Sequence, residues 1–325
     1  MIKKIKVAEA VGLPLLHDIT AIMPDGFKGV MYKRGQVIRE SDIEGLKNIG
    51  KEHIYVGTLD ENQVHEEDAI LAISPYLADI NIEISTVSEG KVTLRAKQEG
   101  LFVIDRAGLK ALHSVGDYTL PTIRSYSAVK KGDRLVGARI VPLWTDRETV
   151  NRALAVVKKF QPIFQVVRYK KLKVGCIITG DEVYYGRIQD AFQPVLEEKL
   201  RAFDADILGY EFCPDDMETI VQAFANFKAQ GADLVLFTGG MSVDPDDTTP
   251  NAIRQTGARV IVQGIPMQPG NMLMVAKLGE TYLVGVPGAS IHSKKTSFDV
   301  FLPRIFAGLD LKKEDFFEMA EGGLL

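Results

Sequence analysis

The strongest constraint on this chain is a rhythm that begins at Lys171. KVGCIIT is an apolar run rich in β-branched residues, the texture of a strand covered on both faces. AFQPVLEEKLRAF then reads as a helix, ADILGYEF as a strand, DDMETIVQAFANFKAQG as a helix closed by Gly231, and DLVLF as a strand. TTPNAIRQTG is a helix closed by Gly257; ARVIV, MLMVAKL and TYLVGV are three further strands; SIHSKKTSFDVFLPRIFAG is the last helix. Strands that alternate with helices pair in parallel through right-handed crossovers. Residues 171–310 are therefore expected to form a three-layer α/β domain around a mostly parallel sheet.

Upstream the texture differs. Residues 1–62 read as a small α+β unit: a strand in GVMY, a turn at Arg34-Gly35, a short helix started by Ser41 or Asp42, and a second strand in HIYV. Residues 63–170 read as a β-rich, barrel-like middle domain with flanking helices, because KVTLRAKQEGLFVID, YTLPTIRS and RLVGARIVPL are short alternating stretches cut by Gly, Asp and Pro. IFQVVR at 163–168 is expected to be a strand entering the last domain. Residues 311–325 are expected to be a terminal helix or frayed tail.

Charge and cysteine usage narrow the function classes. A formal net charge of −4 over 325 residues implies no general attraction to nucleic acid or an anionic membrane. Two cysteines, Cys176 and Cys213, make a disulfide framework unexpected and a reducing cytoplasm the default location. No run approaches eighteen uninterrupted apolar residues, so no membrane span is expected.

Four glycine turns carry the chemistry. They are Thr179-Gly180-Asp181-Glu182, Thr238-Gly239-Gly240-Met241-Ser242, Pro269-Gly270-Asn271 and Pro287-Gly288-Ala289-Ser290. The carboxyl ends of parallel strands line the ligand crevice of an open α/β sheet. Glycine lets backbone approach a ligand and supplies N–H donors, and a helix starting beside such a turn favours phosphate. The third turn precedes a strand rather than following one. Carboxylates follow: Asp181 and Glu182 at the first turn, and Asp244, Asp246 and Asp247 after the second. Oxygen ligands at that spacing suit Mg²⁺ bridging to substrate phosphates, with Asp244 and Asp247 as metal candidates. A cap on the helix TTPNAIRQ is the competing role for Asp246 or Asp247. There is no Walker A loop, no G-x-G-x-x-G fingerprint and no zinc spacing. The five histidines show no ligand spacing, and only His292 lies beside a glycine turn. Trp144 reads as packing.

These motifs carry a family resemblance. ITGDEVYYGRIQD, LVLFTGGMSVDPDDTTPNAI, PMQPGNMLMVAKL and YLVGVPGASIHSKKTSFDVFLPRI, in that order and spacing, resemble the molybdopterin-binding domain of MogA/MoaB-type and MoeA-type molybdenum cofactor biosynthesis proteins. GQVIRESDIEGLKNIGKEHIYV resembles a piece that in MoeA leads straight into the TGDE strand, and here more than a hundred residues intervene. The resemblance implies a MoeA-like subgroup that self-associates. Its ligand would be molybdopterin or the adenylylated form, with Mg²⁺, and with molybdate in MoeA-type chemistry. It implies catalytic roles for Glu182 and Asp247. It implies pterin or nucleotide binding by Thr179, Gly180, Asp181, Thr238, Gly239, Gly240, Ser242, Pro269, Gly270, Pro287, Gly288 and Ser290.

The chain also departs from that pattern. Gln189-Asp190-Ala191-Phe192 lacks the family's Asn, Gln268 and Asn271 stand where MoeA has lysines, and Pro24-Asp25-Gly26-Phe27 is only an echo of its S-A-M-D-G segment. Lys294, Lys295, Arg187 and Arg254 are the cations available to replace those lysines. The implied activity is insertion of molybdenum into the pterin. The alternatives are a non-catalytic carrier or sensor of molybdopterin or a nucleotide, and a CinA-type hydrolase.

Overall fold

The computed structural model describes residues 2–23, 26–242 and 248–325, and the chain divides into two units, Met1–Val167 and Arg168–Leu325.

The first unit holds two apolar cores. Val7, Leu15, Ile19, Ile38, Leu46, Ile54 and Val56 form one, around a pairing of Lys3–Lys6 with His53–Val56 and the hairpin Ile19–Ile22/Lys28–Tyr32. The expected helix runs Asp42–Asn48; Ser41 makes no side-chain cap, and Asp42 instead accepts the Arg39 N–H. The second core spans residues 69–166. Around it lie a four-stranded antiparallel sheet (Ile82–Ile84, Lys91–Ala96, Arg134–Ile140, Tyr118–Thr119) and a three-stranded one (Ser127–Val129, Gly100–Ile104, Phe164–Val167). The strand read as entering the last domain belongs here. Phe164–Val167 pairs with Gly100–Ile104, and Phe164 stacks on Phe102.

The second unit is an α/β domain with one six-stranded sheet. Its order is Asp206–Cys213, Lys173–Thr179, Leu234–Thr238, Thr281–Gly285, Met274–Leu278, Arg259–Gln263. The first four are parallel, and Met274–Leu278 runs against its two neighbours. The central strands are apolar along their length because helices cover both faces. Helix Met217–Ala229 shows how. Asp216 caps its first turn by accepting the Thr219 N–H, and Ile220, Ala223, Phe224 and Phe227 recur at helical spacing on the buried side. Helices Phe192–Arg201 and Ser297–Phe306 bury the opposite face of the sheet.

The terminal segment, expected as a helix or a frayed tail, forms a helix and joins this core. Helix Lys313–Phe317 inserts Phe316, fully buried, against Phe301 with ring centroids 4.2 Å apart. The final residues then pair with Gln268.

Candidate functional site

Strand order defines where a ligand can sit. The chain passes from Lys173–Thr179 outward to Asp206–Cys213, then returns to the other side of the first strand with Leu234–Thr238. In open α/β sheets such a reversal is where ligands are bound, which here is the edge beyond the carboxyl ends of Lys173–Thr179 and Leu234–Thr238. Gly180 follows the first strand, Gly239 and Gly240 the second, and Gly288 the strand Thr281–Gly285. Because Met274–Leu278 is antiparallel, with Met274 opposite Gly285, its leading turn Pro269-Gly270-Asn271 arrives at the same edge. All four turns thus lie on one edge of one sheet, including the third, which precedes its strand.

Threonine hydroxyls knit the centre of that edge. Thr179 Oγ1 donates to the Thr238 carbonyl at 3.0 Å and shares a hydrogen bond with Thr249 Oγ1 at 3.0 Å. Gly239 has φ +82°, and a Cβ there would sit 2.1 Å from the Thr179 carbonyl oxygen, so only glycine fits. Met241, buried, closes over Gly285. Among the described residues the buried Thr238 hydroxyl finds no hydrogen-bond partner, and neither does that of Thr248. An orphaned buried hydroxyl costs about 1–3 kcal/mol in desolvation.

The first turn has a different character. Gly180 precedes a one-turn helix, Asp181–Tyr184, in which the Val183 and Tyr184 N–H groups donate to its carbonyl. Asp181 exchanges backbone-to-carboxylate bonds with Asp215, both at 3.1 Å. Glu182 is exposed, and its carboxylate would lie 3.1 Å from a Cβ at Gly180. Beyond it Tyr184, Tyr185 and Ile188 are exposed, and Arg187 lies over the Tyr185 ring. Asp190, in the segment that lacks the family's Asn, accepts the N–H groups of Phe192 and Gln193 and starts helix Phe192–Arg201.

The two Pro-Gly turns rest on helix Ser297–Phe306. Ser297 Oγ donates to the Gly270 carbonyl at 2.5 Å, and Ser297 N–H to that of Pro269 at 3.2 Å. Ser290, buried, bonds Thr296 Oγ1 at 3.2 Å, and Thr296 with Asp299 forms the capping box. Lys199 pairs with Asp299 behind it. Pro287 is buried and Gly288 exposed. Gln268 and Asn271 are exposed and, with Gly323 and Leu324, line a cleft of about 370 Å³ beside the turn.

Of the other predicted residues, Ser242 is exposed at the end of the second turn. Asp244, Asp246 and Asp247 lie outside the described residues, as do Pro24 and Asp25. Among the described residues no three His, Cys, Asp or Glu side chains converge as a metal site. Lys294, Lys295, Arg187, Arg254 and His292 are exposed, and Arg254 donates to the Pro250 carbonyl. Cys213 and Cys176 are both buried; burial pushes the Cys213 thiol up to about 11 and that of Cys176 up to about 12, so neither is poised as a thiolate nucleophile. Sequence reasoning missed Thr249, Ser297 and the C-terminal residues. Only Thr249 had a signal, as a hydroxyl at the start of the helix after the TGG turn.

Comparison with known proteins places this domain. Residues 175–307 match a family described as a probable molybdopterin binding domain, and residues 4–58 match one described as a domain of unknown function (DUF8806). A molybdopterin molybdenumtransferase of Synechococcus elongatus is 28% identical over 149 residues, 43% of this chain and 37% of that protein. The Staphylococcus epidermidis protein of that name is 25% identical over 304 residues, 87% of this chain and 66% of its own length. Across these two the chain thus spans between about a third and two thirds of its relative's length. The crystal structure of the molybdopterin biosynthesis enzyme MoaB from Thermus thermophilus is 22% identical, covers 43% of this chain and 99% of its own, and has a TM-score of 0.37. Among the described residues no helix is long and apolar enough to cross a membrane.

Proposed function

We propose that this chain, which carries a molybdopterin-binding domain of the MoeA/MogA/MoaB type in residues 175–307, binds molybdopterin or its adenylylated form at the carboxyl edge of its six-stranded sheet and takes part in molybdenum insertion. The observation that carries the reading is the gathering of four glycine turns from four separate stretches on that single edge, across a strand-order reversal. A phosphorylated pterin needs close backbone approach, N–H donors and little like charge. Gly239 and Gly240 supply the approach, and the hydroxyls of Thr238 and Thr248 stand ready as buried groups with no partner among the described residues. Those features fit the pterin and its phosphate.

The chain's other residues have supporting roles in this reading. Thr179 and Thr249 hold the Gly239-Gly240 turn in place. Ser297 fixes Gly270, and Ser290 with Thr296 fixes the Gly288 turn. Thr179, Asp181, Pro269 and Pro287 act as framework, while Gly180, Gly239, Gly240, Ser242, Gly270, Gly288 and Ser290 face or shape the ligand. Glu182 at the rim and Asp247 are the acids assigned to the reacting end. Mg²⁺, if held by Asp244 and Asp247, would neutralise phosphate charge, and the described residues form no cage for it. Gln268 and Asn271 supply no cation, and each missing charge-assisted contact is worth about 1.5–3 kcal/mol. Pterin binding is accordingly expected to be stronger than molybdate binding.

Calorimetric titration with molybdopterin, its adenylylated form and ATP, each with and without Mg²⁺, tests the reading. Thr238→Val sharpens it. The swap removes an unsatisfied buried hydroxyl, so the ligand-free domain should gain about 1 kcal/mol of stability while pterin affinity falls about tenfold. Unchanged affinity in Thr238→Val would remove that hydroxyl from the site, and no heat with either pterin form would overturn the assignment.

A further inference from the structure

The outer face of the four-stranded sheet in the first unit carries charge that pterin chemistry does not use. Residues 91–160 hold fourteen Lys and Arg against six Asp and Glu, inside a chain of net charge −4. Alternation turns Val92, Leu94 and Ala96 into the core and Lys91 and Arg95 to solvent. On the neighbouring strand Arg134 sits directly opposite Arg95, and Arg139 directly opposite Lys91. Like charges in directly facing positions weaken a sheet.

The two pairs are handled differently. Arg139 reaches Glu66 at 3.3 Å, and Lys91 has Glu89 at 3.9 Å. At the other end Arg95, Lys97, Lys130, Lys131 and Arg134 are all exposed, and none of them joins an ion pair among the described residues.

Local bonds hold this group together. The Gly132 N–H donates to the Ala96 carbonyl at 2.7 Å, which folds the Lys130–Asp133 turn onto the end of strand Lys91–Ala96. Arg95 donates to the Gly132 carbonyl and Lys97 to that of Ile80, both at 3.0 Å. Asp133 accepts the Lys130 N–H at 2.8 Å, and Glu83 is the acid in register beside Arg95. Gly137 leaves room for Arg134 to lie across the face, since a Cβ there would be 3.0 Å from its Nη2.

We infer that this corner docks an extended acidic segment of a partner protein. Guanidinium forks match carboxylates in pairs, and two facing arginines with three lysines beside them present that chemistry at one exposed corner of the sheet. Between the cations the face offers Thr93 and Gly137 and no aromatic ring. A binder of single-stranded nucleic acid needs rings for the bases to stack on.

The test uses the full chain and fluorescein-labelled decaglutamate, with decathymidylate and phosphatidylserine vesicles as rival probes. Decaglutamate should bind, and binding should weaken as salt rises. Arg134→Glu sets a carboxylate opposite Arg95, so the melting temperature should hold or rise while decaglutamate affinity falls about tenfold or more. Lys130→Ala with Lys131→Ala, in an exposed turn, should weaken binding several-fold with the fold intact, and Lys313→Ala in the second unit should change nothing. Affinity within about twofold of the parent in both charge variants would overturn the proposal. So would decathymidylate or vesicles binding as tightly as decaglutamate and losing affinity in the same variants.

Discussion

Two glycines that look alike in the sequence differ sharply in what surrounds them. Gly239 has a left-handed φ and no room for a Cβ, whereas Gly288 has neither constraint and nothing within 4 Å of a Cβ. Gly239→Ala should therefore destabilise the second unit by about 2–4 kcal/mol and abolish pterin binding, while Gly288→Ala should leave stability within about 0.5 kcal/mol of the parent. Urea unfolding of both variants checks the contrast, and equal losses would refute it. His65 offers a second prediction in the first unit. It is buried, its Nδ1 accepts the Glu67 N–H, and burial, aided by the Arg34 charge, lowers its pKa from 6.5 to about 4. The unfolded chain thus takes up a proton that the folded one refuses between those values. Stability should be at its fullest above about pH 6.5 and fall by up to about 3 kcal/mol as the pH drops towards 4. Glu66 next to it is shifted upward by burial and works in the opposite sense. The measurement is accordingly the difference between the parent and His65→Gln across pH 4–7, and a flat difference would exclude the mechanism. Such residues are hard to read from sequence: the TGG motif marks a turn, but its need for glycine comes from the Thr179 carbonyl, sixty positions away.

At the scale of elements, the alternation of strands and helices was legible from Lys171 onward because both faces of that sheet are covered and its strands are apolar throughout. Direction was less legible. Nothing in MLMVAKL announces an antiparallel strand, yet that reversal is what brings Pro269-Gly270 to the ligand edge. Residues 163–168 read as a strand but not as a partner of one sheet, since a short apolar run fits either neighbouring sheet and pairing across some sixty residues decides between them. The terminal segment misleads through composition. LKKEDFFEMAEGGLL is charged and glycine-ended, but Phe316 fills a gap beside Phe301 and Leu311 is buried with it. Beyond it the Gln268 N–H donates to the Gly323 carbonyl at 2.8 Å and the Leu325 N–H to that of Gln268 at 2.7 Å. Phe316→Ala should cost about 3–5 kcal/mol in the second unit, as expected for a buried aromatic cut to alanine. It should also loosen the Gln268–Gly270 turn, seen as faster amide exchange at Leu325 and Gln268. Loss below about 1 kcal/mol would return the segment to the status of a tail.

For the whole molecule, the pattern of apolar cores decides how many cooperative parts exist. The two cores of the first unit use residues up to Val166, and the two faces of the six-stranded sheet begin at Tyr169. Each unit is near 160 residues, enough to bury most of its apolar surface without help. Charge divides in the same place: 23 Lys and Arg against 21 Asp and Glu before Arg168, and 16 against 22 from there on. A chain of modest overall charge thus hides a basic sheet face in one unit and a net acidic ligand domain in the other, which is why net charge alone said little about partners. If the second unit is self-sufficient, residues 168–325 expressed alone should unfold in one cooperative transition, keep a near-ultraviolet circular dichroism spectrum, and take up molybdopterin with the affinity of the full chain. A fragment that binds hydrophobic dye and shows no cooperative transition would mean that its core depends on the preceding 167 residues. A fragment that folds but fails to bind would mean instead that the pterin site takes a contribution from beyond the glycine turns.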